Sequence, residues 1–147
     1  MIYTPMTRKA MKLAYDAHHG QLDKAGVPYV FHPLHLAESM TDETSCTVAL
    51  LHDVVEDTSL TFEDLQAAGF PETVLAPLRL LTHAKEVPYM DYIHALKDDP
   101  VARRVKLADL AHNSDTSRLE VLPQGAAYKL ELYRQSTALL TALEKGE

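Results

Sequence analysis

The stretch Ala49-Leu50-Leu51-His52-Asp53-Val54-Val55-Glu56-Asp57-Thr58 sets one imidazole and three carboxylates directly behind an apolar run. Thr47-Val48-Ala49-Leu50-Leu51 predicts a helix. If that helix continues, Ala49, His52, Asp53 and Glu56 fall at offsets 0, +3, +4 and +7 and share one face. Val48, Leu51 and Val55 form an apolar stripe beside it, so the polar groups are expected at the edge of a core. Ionisable groups there are expensive to desolvate unless something compensates them, and a divalent cation would do so. The His-Asp pair alone does not decide this, because a buried histidine bonded to its neighbour is commoner than a metal ligand.

Two distant segments decide it. His32 lies in Pro28-Tyr29-Val30-Phe31-His32-Pro33, and Asp109 lies in Lys106-Leu107-Ala108-Asp109-Leu110-Ala111-His112-Asn113. A histidine, a His-Asp doublet and a later aspartate, in that order, resemble the metal ligands of the HD phosphohydrolase superfamily. The resemblance implies that His32, His52, Asp53 and Asp109 hold the metal.

The chain has 147 residues, 46% of them hydrophobic and 24% charged. Such a chain is expected to form one domain over residues 1–147, with about two thirds of its unfolded surface buried, and the resemblance implies that this domain is of the HD type. A net charge of −7 disfavours nucleic acid backbone and anionic lipid as partners, since both call for a basic surface. Cys46 is the only cysteine, which rules out an intrachain disulfide, and it reads as a small core residue. Met1-Ile2-Tyr3-Thr4-Pro5 lacks the basic start and apolar run of a secretory signal. No apolar run approaches the ~20 residues of a membrane span. The expected location is cytoplasmic.

Taken in order, the chain reads as helices separated by glycine and proline. Thr4-Pro5 opens the first, with Ala10, Leu13, Ala14 and Ala17 as its stripe and Gly20 as its stop. Gly26 and Pro28 mark a loop. Pro33 can open the next helix with His32 at its entrance, where His35 reads as a surface or capping residue. Thr41-Asp42-Glu43 offers a cap for the central helix. Further helices start at Thr61, Pro71, Pro88 and Pro100, and a tail helix spans Gly125 to Leu143, in which nothing signals chemistry. Tyr89 and Tyr92, at core spacing, are expected to pack with a wet hydroxyl. Lys106, Asp109 and Asn113 at offsets 0, +3 and +7 make a second polar face. No alternating run or Asn-Gly hairpin signals a strand, so the fold class is all-α, a compact helical bundle.

Two imidazoles and two carboxylates suit Mn²⁺, Fe²⁺, Co²⁺ or Zn²⁺, with water at the remaining positions, and Mn²⁺ is the expected ion. A coordinated water is far more acidic than bulk water, which points to hydrolysis of a phosphate ester or anhydride. The segments around His32, His52-Asp53 and Asp109 resemble more narrowly the hydrolase domain of the RelA/SpoT homologues, which remove the 3′-pyrophosphate from guanosine tetra- and pentaphosphate. Ala17-His18-His19-Gly20-Gln21 matches that family as well, and in length the chain is similar to the small alarmone hydrolases, including the metazoan SpoT homologue. The resemblance implies that Glu56 and Asp57 assist the chemistry and that Lys24 and Asn113 contact a small nucleotide substrate. Lys106 reads as structural, pairing with Asp109 or its neighbours. Asp23 and Asp115 stand where the family has arginine, so each removes a cation and adds an anion near the expected polyanion. Two alternatives stay open: a hydrolase of another nucleotide, such as a nucleoside monophosphate or an NADPH-type substrate, and a non-catalytic nucleotide-binding module. A pure binder would not need both carboxylates after the His-Asp doublet.

Overall fold

Local capping sets where most helices begin. The structure, a computed structural model, describes residues 1–146. In α1 (Pro5–Ala17) the Thr4 hydroxyl accepts from the Thr7 N–H, and the Thr7 hydroxyl accepts from the Thr4 N–H. Asp42 caps α3 (Glu43–Leu51), Thr61 forms a capping box with Asp64 for α5 (Phe62–Ala67), and Asp99 caps α8 (Pro100–Asn113). The remaining helices are α2 (Phe31–Glu38), α4 (Val54–Asp57), α6 (Glu72–Leu81), α7 (Tyr89–Leu96) and α9 (Ala126–Glu144). Among the described residues there is no strand, only an isolated bridge between Leu22 and Pro28 that pinches the loop between α1 and α2. Gly26, at φ +80, makes the turn inside that pinch.

Helix α3 lies at the centre because it is buried on every side, from Ser45 through Leu51. α1, α2, α6 and α8 pack around it. Its buried hydroxyls are bonded locally, Ser45 to Asp42 and Thr47 to the Glu43 carbonyl, so the all-round burial leaves neither orphaned. Cys46 sits in this core, fully buried. No helix among the described residues is long and apolar enough to cross a membrane.

The central helix does not run on to Thr58, as the sequence spacing predicts. It ends at Leu51, His52 and Asp53 form a turn, and α4 restarts at Val54. The His52 ring donates from Nδ1 to the Ala49 carbonyl at 2.7 Å, a local bond that competes with the helical ladder. Asp53 adopts φ −107, ψ 2. The break shifts the apolar register by one: Val54 is fully buried and Val55 only half-buried. Ala49, His52, Asp53 and Glu56 therefore do not share one continuous helical face. α2 begins two residues before Pro33, so His32 lies within its first turn, where a proline that follows removes no needed donor.

Candidate active site

Three separate parts of the fold bring the sequence-predicted ligands together. His32 comes from the first turn of α2, His52 and Asp53 from the turn between α3 and α4, and Asp109 from the last turns of α8. His32 Nε2 lies 2.9 Å from Asp109 Oδ1 and 3.9 Å from Asp53 Oδ2, and His52 Nε2 lies 2.9 Å from Asp53 Oδ2 and 3.5 Å from Asp109 Oδ1. His32, His52 and Asp109 each place a ligand atom within 4.8 Å of the others, a spacing one ion can bridge, while the Asp53 carboxylate groups with Glu56 and Asp57 and reaches the three through His52.

The donor chemistry fits a cation. A carbonyl only accepts, so the bond to Ala49 places the His52 proton on Nδ1 and leaves a lone pair on Nε2. That Nε2 is buried and, although close to two carboxylates, makes no hydrogen bond. Burial opposes a proton on His52, yet Asp53 and Asp109 outweigh it and raise its proton affinity well above the ordinary histidine range, so the Nε2 lone pair becomes available where a metal cation replaces that proton. Burial alone would raise the two carboxyls; His52 instead holds Asp53 low, and Lys106 holds Asp109 far below the usual range.

Each of these side chains is oriented by a second one. The His32 Nδ1 meets His112 Nδ1 at 2.6 Å, with the rings 12° from parallel and their centroids 4.9 Å apart. That centroid spacing matches the N–N distance plus one ring radius at each end, so the rings meet edge to edge in nearly one plane. His112 is pushed down to about 4 by burial and by Arg118, His32 and His35, which keeps it a neutral acceptor. His35 is exposed and lies face to face with His112 at 4.1 Å. The Tyr29 hydroxyl donates to Asp53, and burial together with that carboxylate raises the phenol far above its usual range, so it stays protonated. As the α8 spacing anticipates, Lys106 Nζ donates to Asp109 Oδ2 at 2.8 Å, and it also lies over the rings of Tyr89 and Tyr92.

A cavity of about 200 Å³ opens on this cluster, with Glu56, Asp57, His83, Tyr89 and Asn113 among its walls. Glu56 accepts from the His83 N–H at 2.7 Å, and one carboxylate oxygen from each of Asp53, Glu56 and Asp57 lies within 4.8 Å of the others. Burial, followed by Asp53 and Glu56, pushes Asp57 up to about 6. Tyr92 is buried and donates to the Leu81 carbonyl, whereas the Tyr89 hydroxyl is buried without a partner at the cavity wall. Asn113 donates to Asp109 Oδ1 at 3.0 Å and, with Lys24, also lines an adjoining cavity of about 320 Å³.

The sequence gives no periodic signal for the supporting residues. His112 and Tyr29 lie inside the decisive segments, but their partners are far along the chain. His83 follows α6 at no recognisable spacing, and Tyr133, which lines the same cavity, belongs to α9, where no chemistry is expected. The two aspartates that replace arginines are used locally. Asp23 accepts from the Ala25 and Val27 N–H groups and pairs with Arg118, while exposed Asp115 accepts from Ser117.

No family model matches the chain. Among curated proteins, the zebrafish guanosine-3′,5′-bis(diphosphate) 3′-pyrophosphohydrolase MESH1 is 33% identical over 123 residues, covering 75% of this chain and 68% of that protein. The bifunctional (p)ppGpp synthase/hydrolase SpoT of Escherichia coli K12 is also 33% identical over 123 residues, covering 74% of this chain. The chain spans only 18% of the length of that bacterial relative. Among solved structures, one of a metazoan ortholog of SpoT that hydrolyses ppGpp superposes with a TM-score of 0.75 at 24% identity, over 95% of this chain and 88% of that one. That superposition establishes the all-α fold, and by identity and mutual coverage with the zebrafish protein the chain belongs to the MESH1-type family of guanosine-3′,5′-bis(diphosphate) 3′-pyrophosphohydrolases.

Proposed function

We propose that the chain is a metal-dependent guanosine-3′,5′-bis(diphosphate) 3′-pyrophosphohydrolase, with His32, His52, Asp53 and Asp109 as metal ligands. The observation that carries this reading is the convergence of those four side chains from three parts of the fold, with an unbonded, buried His52 Nε2 among them. Two nitrogen and two oxygen donors fit Mn²⁺. When bound, the cation supplies Lewis acidity and an acidified water.

The chain's own residues do the rest. Tyr29 and His112 hold Asp53 and His32 in place. Glu56, fixed by the His83 N–H, and Asp57 beside it divide the proton work: one orients or deprotonates the attacking water, and the other returns a proton to the leaving group. Each such contribution is typically ~10²-fold or more. Lys24 and Asn113 contact the nucleotide. Arg118 pairs with Asp23, which offsets one of the two added anions near the expected polyanion. A cytoplasmic setting, where such nucleotides occur, is part of the same proposal.

Purified protein with Mn²⁺ and guanosine tetraphosphate is expected to release pyrophosphate, and the Asp53→Ala variant is not. Equal release by both overturns the ligand assignment. Release by neither, with turnover of another nucleotide in a panel, overturns the substrate.

A further inference from the structure

The segment Ala17-His18-His19-Gly20-Gln21 has no part in the chemistry proposed above, yet it is tied to α4. His18 caps the C-terminus of α1 and is buried, and Gly20, at φ +86, turns the chain after it. The Gln21 main chain is held on both sides: its N–H donates to the His18 carbonyl and its carbonyl accepts from the Tyr29 N–H. From this fixed point its side chain reaches α4, where Nε2 donates to the Asp57 carbonyl at 2.9 Å.

That carbonyl can only accept, and it sets every proton behind it. The Gln21 amide turns its NH2 to Asp57 and therefore its Oε1 to His18, 2.8 Å from Nδ1, so the ring carries its proton on Nδ1. Burial lowers the pKa of His18 below the ordinary histidine value and keeps the ring neutral. Nε2 is left with a lone pair, buried and without a partner, on a ring whose centroid is 5.0 Å from that of Tyr29. An orphaned acceptor lowers stability, and an apolar side chain in its place would not. Packing therefore does not account for a histidine here, whereas the bond from Nδ1 does.

Helix α4 has four residues, a single turn that cannot hold its own direction. Val54 anchors it in the core and the His83 N–H holds Glu56. Asp57, exposed at its C-terminal end, is held through Gln21. We propose that His18 and Gln21 form a relay that positions Asp57: the imidazole fixes the Gln21 amide, and the amide fixes the end of α4 that carries the carboxylate. This rests on the proton role proposed for Asp57. Neither His18 nor Gln21 lines the catalytic cavity, so both are positioning residues. A displacement of about 1 Å in a catalytic group can lower the rate about 10²-fold.

Steady-state hydrolysis of guanosine tetraphosphate with Mn²⁺ tests the relay. Gln21→Leu and His18→Leu are expected to lower kcat about 10–100-fold, with KM and Mn²⁺ affinity within about twofold, and His18→Leu should not lower Tm. His18→Asn, whose amide nitrogen falls where Nδ1 stands and can still donate to Gln21, should restore most of the rate. A kcat for Gln21→Leu within about twofold of wild type overturns the proposal, as does an equal loss in His18→Leu and His18→Asn, or a fall in Mn²⁺ affinity large enough to explain the lost rate. Amide hydrogen exchange on metal-free protein gives a readout without turnover. The Asp57 and Thr58 N–H groups, which close α4 on the Asp53 and Val54 carbonyls, should exchange about three- to tenfold faster in Gln21→Leu. If the wild type releases no pyrophosphate, the proposed function fails, and exchange alone judges the relay: faster exchange at these two amides supports it and unchanged exchange overturns it.

Discussion

Replacing Lys106 by methionine isolates the electrostatic balance of the cluster. The Lys106 side chain is 11% exposed and that of Asp109 8%, and their charged groups meet at 2.8 Å. At an effective dielectric near 20, the gross attraction at that distance is about 6 kcal/mol. Removing one partner of a buried pair costs about 3–5 kcal/mol, because the other charge is left uncompensated. Here His52 stands 3.5 Å from the same carboxylate and is drawn toward its charged form by Asp53 and Asp109, which moves the expected loss to the low end, about 3 kcal/mol in metal-free protein. For a chain of this size that corresponds to a fall in Tm of about 6–12 °C. A divalent cation neutralises Asp109 in the variant, so the loss measured with Mn²⁺ should be smaller than the loss measured in chelator. By linkage the folded variant then binds the metal more tightly. Urea denaturation followed by circular dichroism, with and without metal, provides both numbers, and methionine keeps the contact with the tyrosine rings. A metal-free loss below about 1 kcal/mol, or a larger loss with metal than without, refutes the charge-balance argument.

Three further outcomes are expected. His112→Leu should weaken metal binding about 10–100-fold by isothermal titration, whereas His112→Asn, which can still accept from His32, should lose much less; equal losses would mean that ring packing alone matters. Between pH about 4 and about 6, folded metal-free protein holds a proton on Asp57 that the unfolded chain has released, so stability should fall as pH rises through that window, and Asp57→Asn should flatten the slope in pH-dependent denaturation. Asp42→Ala removes the cap of α3 and should lower stability by about 1 kcal/mol in the same assay; no change would mean that Ser45 and Arg104 compensate.

Helix starts were the most legible part of the chain, because caps such as Thr4-Pro5, Thr61 and Asp99-Pro100 act within one turn of the residues that announce them. The four clustered side chains were legible for a different reason: their order along the chain resembles a known family. What periodicity could not foresee was the break at His52-Asp53. A single bond from an imidazole to the Ala49 carbonyl competes with the ladder there, and a pattern of apolar residues carries no trace of it. Nor could spacing show that Asp23 would find Arg118, since the two are brought together only when the segment after α8 folds back over the α1–α2 loop.

The catalytic cavity and the one adjoining it have walls of two kinds. One is held by side chains from α2, the α3–α4 turn and α8, all anchored in the core; the other is built from the exposed stretch after α8 and the outer turns of α9. Amino-acid changes on the second wall disturb little packing, so the preference for a nucleotide can drift over generations while the bond-breaking apparatus stays intact. A fold divided in this manner is well suited to acquire new substrates without first becoming unstable.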